Sequence, residues 1–220
     1  MKTKSSQKKK ATQPTRKTFR HGDLRRALLE AGVELARAGG PDAVVLREVT
    51  RRAGVVPNAA YHHFAGQKEL LQSVRSAAIS ALAVAIEQEL AKVSAGDNKA
   101  AYGRLSLRAV GTAYMHFARF ETGLFRTAFS APAPVFEPPN PESSGASGLN
   151  PFQLLGLALD RMVEGGVLSP ARRPGAEFLA WSTVHGLSML ILDGPLQGVG
   201  EAVAEDFGQR ILDMVERGLV

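Results

Sequence analysis

An all-α protein is expected, with a three-helix N-terminal head and a larger helical body, and three observations predict it. Apolar residues recur at three- and four-residue spacing along almost every long stretch, and no stretch alternates as a strand would. Hydrophobic residues make up 45% of the 220 but aromatics only 6%, and Ala and Leu, good helix formers, are abundant. Between residues 46 and 64, two short helical patterns stand on either side of a glycine.

Residues 1–20 carry eight basic and no acidic side chains, with Ser, Thr, Gln and Pro between them. So little apolar surface cannot offset the entropy of ordering, and disorder in isolation is expected. Two readings stand: an arm that contacts DNA phosphates or a minor groove, or a solvated tail. No apolar segment follows it, so it is not read as a secretory signal.

Helical periodicity begins at Asp23, a suitable N-cap, and continues through Leu24, Leu28, Ala31, Leu35 and Ala38. Gly39-Gly40-Pro41-Asp42 ends this first helix. Leu46, Val49 and Ala53 then stand at i, i+3 and i+7, which buries one stripe and exposes Arg47, Thr50 and Arg51. Gly54 can take the left-handed turn that closes the helix, and Pro57 suits the first position of the next. That next helix carries Asn58, Ala59, Tyr61, His62 and His63 and closes on Phe64. Two short helices about a glycine turn, the second rich in hydrogen-bonding side chains, describe a helix-turn-helix whose second helix enters the major groove. Leu28, Leu35, Val44, Leu46, Val49 and Phe64 are expected to share the small core of a head spanning residues 21–66.

The body is expected to span residues 67–220. Residues 67–93 read as one long helix, with Leu70, Val74, Ala78, Leu82 and Ile86 on a broad apolar stripe, joining head to body rigidly. Residues 100–118 and 123–129 repeat the helical pattern. Met115, Phe117, Phe120, Phe125 and Phe129 fall within fifteen residues, and are read either as the wall of an apolar ligand pocket or as ordinary core. Residues 131–151 hold six of the twelve prolines and are expected to form a loop, a pocket cover or a tolerated insertion. Helices resume at 151–165, 174–192 and 200–219. Trp181 and His185 stand at i, i+4 and share a face. Gly186 inside a helix costs about 1 kcal/mol relative to Ala, so close approach of another backbone is expected there. Helices 174–192 and 200–219 fit an isologous four-helix interface between two copies. His185 and Trp181 have further readings as cavity lining or core.

The first 69 residues carry a net charge of +9 and the remainder −3, which together give +6. A basic front on a mildly acidic body fits a polyanion-binding module joined to a ligand or dimerisation module. No apolar run reaches 18 residues without a charge or turn signal, so no membrane span is expected. The absence of cysteine excludes disulfides and thiolate metal sites and is compatible with a reducing cytoplasm, the compartment expected. His21, His62, His63, His116 and His185 form no metal-binding spacing, and no glycine-rich phosphate loop follows a strand. No cofactor, metal ion or enzymatic activity is therefore expected.

The order Ala53-Gly54-Val55, then Ala59, then Tyr61-His62-His63-Phe64, followed by Lys68-Glu69-Leu70-Leu71, resembles the tetracycline-repressor-like (TetR) family over about residues 22–72. Trp181, His185 and Gly186 are similar to the Trp-His-Gly (WHG) pattern in the C-terminal domain of one branch of that family. The resemblance implies a transcriptional regulator that binds a palindromic site in double-stranded DNA as a homodimer and is released by a small apolar ligand. It further implies that Arg47 reaches guanine or phosphate and that His63 matches a nearly constant histidine. Val56 stands where the family has Ser or Thr, so a side-chain cap worth roughly 0.5–2 kcal/mol is missing. Gln67 stands where the family often has Lys, with Lys68 as the substitute phosphate contact. On the residues themselves, Asn58 can pair with adenine. Tyr61 can donate to a phosphate or be a structural aromatic, and His62 faces DNA. Thr50, Ala59 and His63 complete the candidate DNA-binding set. The alternative is a helical scaffold that binds small molecules or proteins without specific DNA binding.

Overall fold

Nine α-helices and no strand are found among the described residues, 21–132 and 140–220 of the computed structural model. In chain order they are α1 (His21–Gly39), α2 (Leu46–Ala53), α3 (Pro57–Ala60), α4 (Gln67–Leu90), α5 (Lys99–Phe120), α6 (Thr122–Ala128), α7 (Pro151–Glu164), α8 (Ala176–Leu192) and α9 (Glu201–Leu219). The basic arm expected over 1–20 lies outside the described residues, as do residues 133–139 of the Pro-rich segment.

Side-chain caps start two of the helices. The Asn98 side chain accepts the Ala101 N–H at 2.9 Å and starts α5. Asn150 and Gln153 form a reciprocal capping box at the start of α7, with Pro151 at the first helical position. Asp23 is no N-cap: it lies inside the first turn of α1, where its charge favours the helix dipole. The stretch expected to be a plain loop, 131–151, contains a one-turn 3-10 helix at Pro141–Ser143. The Glu87 carboxylate of α4 holds the following turn by accepting the N–H groups of Ala146 and Ser147 at 2.9 and 2.8 Å.

All six residues expected in the head core are buried, and Leu70 and Val74 of α4 join them. Thr50 corrects the sequence reading. It is 1% exposed, on the buried stripe with Leu46 and Val49, and its hydroxyl donates to the Arg47 carbonyl at 2.9 Å. On an eight-residue helix the buried stripe is wide enough to take in i+4 as well as i+3 and i+7, which the spacing argument left out.

Helix α4 is long and apolar enough to cross a membrane by length and composition, but half of that window is buried inside the protein. It packs on α1, α5, α6 and α7. Helix α5 runs through the body against α4, α7, α8 and α9. Helix α6 closes on the head: a Cβ at Gly123 would collide with the carbonyls of Ala36 and Arg37 in α1, so glycine permits this approach.

Candidate nucleic-acid interface and ligand cavity

Helices α2 and α3 meet at Gly54, whose φ of 75° and ψ of 30° place it in the left-handed region. Its N–H and that of Val55 return to the carbonyls of Arg51 and Thr50, closing α2. Val56 has extended φ/ψ and no side-chain cap, while Pro57 opens α3. The regular part of α3 is shorter than expected, ending at Ala60. Tyr61–His63 continue as a turn, with the N–H groups of His63 and Phe64 both returning to the Ala60 carbonyl at 2.9 Å.

The candidate DNA-binding side chains divide by exposure. Arg47, Asn58, Tyr61, His62 and Lys68 are exposed, Ala59 and His63 are half-buried, and Thr50 is buried. Arg51 is engaged by Glu48 and Arg52 by Glu34 at 2.7 Å, whereas Arg47 and Lys68 form no ion pair among the described residues. Gln67 has a role that sequence reasoning missed. Its side-chain oxygen accepts the Leu46 N–H at 2.7 Å and its amide nitrogen donates to the Val44 carbonyl. It therefore caps α2 from the first residue of α4.

In the body, a cavity of about 970 Å³ opens between α4, α5, α7 and α8. Phe129, Trp181 and His185 line it as expected. Phe125 stands behind them, fully buried, with its ring edge-to-face to Tyr114 at 5.5 Å. Three more of the residues read as pocket wall or core also lie off this cavity. Met115 turns the other way, into a cleft of about 10 Å³ beside Leu187 and Gly208, room for about one water. Phe117 is buried in the core without lining the cavity. Phe120 is 65% exposed at the end of α5, packed near His116. Met115 and Phe117 are two apart on α5, about 200° around the helix, and so point to opposite sides of it.

Tyr114 is a cavity residue absent from the candidates that the sequence offers. Leu107, Val110, Gly111 and Tyr114 stand at i, i+3, i+4 and i+7, and all four line the cavity. The Tyr114 hydroxyl accepts the Trp181 indole N–H at 3.1 Å and lies 2.7 Å from His185 Nδ1. The hydroxyl oxygen can accept from Trp181 while its own proton goes to His185 Nδ1, provided that nitrogen is unprotonated. Burial agrees with this, raising the Tyr114 pKa and lowering that of His185, so both are neutral.

Residues 28–74 match the model for bacterial regulatory proteins of the tetR family, and residues 107–215 match that for a tetracyclin repressor-like C-terminal domain. The chain carries both domains of a tetR-family regulator. Solved structures share the tetR-like architecture. A protein of unknown function from Rhodococcus sp. RHA1 is 24% identical, with a TM-score of 0.69 over 91% of this chain and 97% of that one. The TetR family regulator PfmR from Thermus thermophilus is 21% identical, with a TM-score of 0.54 over 88% of this chain and 98% of its own. A TetR protein from Acinetobacter baumannii AYE, in complex with minocycline, is 15% identical, with a TM-score of 0.56 over 91% and 96%. At these identities the likeness establishes the tetR fold. No curated protein matches the chain.

Proposed function

We propose that this protein is a ligand-released repressor that binds a palindromic operator as a homodimer. The head, residues 21–66, reads DNA, and the body, residues 67–220, binds ligand and dimerises through α8 and α9. The observation that carries the reading is the exposure of Asn58, Tyr61 and His62 at α3 and the turn after it, with Arg47 and Lys68 outside any ion pair among the described residues, in a tetR-family head. Asn58 contacts a base edge, and Arg47, Lys68, Tyr61 and His62 serve phosphates and flanking bases. His63 and Ala59, half-buried, position the helix end.

A dimer is supported by what α8 and α9 leave uncovered. Leu179, Met189 and Leu190 are exposed on α8, and Val203 and Met214 on α9. Gly186 has nothing within 4 Å of where a Cβ would stand, so the approach expected there is supplied by the second copy. Two heads about 34–36 Å apart then meet successive major grooves. The C-terminal domain is of the Trp-His-Gly type, its Trp181 and His185 joined through Tyr114. A ligand in the cavity favours a head spacing that does not fit the operator, which requires different affinity for the two states.

Selection of genomic fragments with purified protein tests this, followed by titration over a range of salt. Specific fragments are expected, with affinity falling steeply between low and moderate salt. Replacing Tyr61 and His62 together with Ala is expected to abolish that binding and leave the dimer intact. Unchanged binding by the double variant would refute the placement of the interface.

A further inference from the structure

Arg75 sits in the middle of α4 at 6% exposure, and burial pushes its guanidinium below the ordinary pKa. Its Nε donates to the Ala128 carbonyl at 3.0 Å, and no carboxylate pairs with it among the described residues. No fully buried side-chain nitrogen there lacks a partner. The two terminal nitrogens of Arg75 therefore face open space, and the space that Arg75 borders is the cavity.

The rest of the lining sharpens this. No described residue lining the cavity is an aspartate or glutamate. Arg108 also borders it, but Asp213 and Glu216 neutralise that charge at 2.6 and 3.4 Å, and Gln209 accepts from its other arm at 2.9 Å. His185, its pKa lowered by burial, adds no charge at neutral pH. The cavity thus carries one uncompensated positive charge among the described residues, flanked on α4 by Gln72 and Ser76 and facing Ser130, Asn140 and Ser143. The aromatic lining comes from Tyr114, Phe129, Phe152, Phe178 and Trp181.

We infer that the cavity takes a small monocarboxylate with an apolar or aromatic body, its carboxylate held by the Arg75 guanidinium. A buried cation without a partner is costly, and a planar fork with two free N–H arms matches a carboxylate. A polyphosphate would bury further negative charges with no cation to meet them, and a neutral ligand would leave Arg75 unpaired. The volume lies at the upper end for small-molecule pockets, and the apolar lining accounts for the body of the ligand. This inference rests on reading the cavity as the effector site.

The probes are decanoate and 4-phenylbutanoate, each compared with its own primary amide. Binding to the full-length protein is measured by titration calorimetry and by the emission of Trp181, the single tryptophan. At least one acid is expected to bind tenfold or more tightly than its amide. Arg75→Gln is expected to bring that acid down to the level of the amide, leaving the affinity of the amide unchanged, and Arg75→Lys to keep part of the preference. Thermal melts establish that the variants are folded, and the acid–amide comparison on the unaltered protein stands even if they are not. Equal binding of acid and amide in both pairs overturns the carboxylate anchor while leaving the cavity as a ligand site. A preference that survives in folded Arg75→Gln overturns it also. Binding of none of the four overturns it together with the effector reading.

Discussion

The side-chain oxygen of Gln67, the first residue of α4, accepts the backbone N–H of Leu46, the first residue of α2, at 2.7 Å. Helix α2 has no cap of its own, because Val45 at its N-cap position has no side-chain acceptor. Gln67 supplies the acceptor from another element and fixes the entry of α2 to the start of α4.

Gln67→Ala is therefore expected to behave as the loss of a helix cap, lowering stability by about 0.5–2 kcal/mol. Urea unfolding should show a lower midpoint at an unchanged slope. Gln67→Glu keeps an acceptor for Leu46 but sets its other carboxylate oxygen against the Val44 carbonyl, so it should not recover the full stability.

Gly123→Ala is expected to cost about 1–3 kcal/mol, because α1 presents backbone carbonyls at the site of the new methyl and cannot yield as a side chain would. Thermal unfolding measures it. A melting temperature equal to that of the unaltered protein would contradict the close contact of α6 with α1.

His185 gives stability a pH dependence of definite sign. Burial lowers its pKa, so between that folded value and about 6.5 the unfolded chain binds more protons than the folded one. Stability from this residue is complete above about pH 6.5 and declines as pH falls through the window. The melting temperature is expected to drop between pH 7 and 5.5, with a shallower slope in His185→Gln. Glu205, whose carboxyl the Gln209 hydrogen bond holds low, contributes its loss only under more acidic conditions.

Leu179→Glu and Met214→Glu place a charge on the exposed apolar faces of α8 and α9. Each is expected to convert the proposed dimer to monomer in sedimentation, leave helical content intact and weaken binding to the proposed operator at least tenfold. A dimer that persists in both variants would move the interface elsewhere.

Much of this architecture is legible in the sequence, and the rest has two causes. The glycine turn at 54, the uncapped Val56 and the six head-core residues follow from backbone rules and helical spacing, which act locally. For Met115 and Phe120 residue type stands in for helical phase, since α5 turns Leu107, Val110, Gly111 and Tyr114 toward the cavity; for Thr50 the stripe of α2 is drawn one position too narrow. The roles of Gln67 and Arg75 depend on partners 21 and 53 residues away, and no local pattern announces such partners.

Helix α4 begins at the cap of α2 and continues as the wall that holds Arg75 and Ser76. Twenty-four residues at 1.5 Å each make a rod about 36 Å long. A tilt of 5° about its far end would carry the head about 3 Å, on the order of one base-pair step. Rotation is equally constrained, since each residue turns the rod by about 100°. Inserting a single alanine between Leu70 and Arg75 would swing the reading head out of phase with the cavity, so this connection should be intolerant of changes in length even where every side chain keeps its chemical kind.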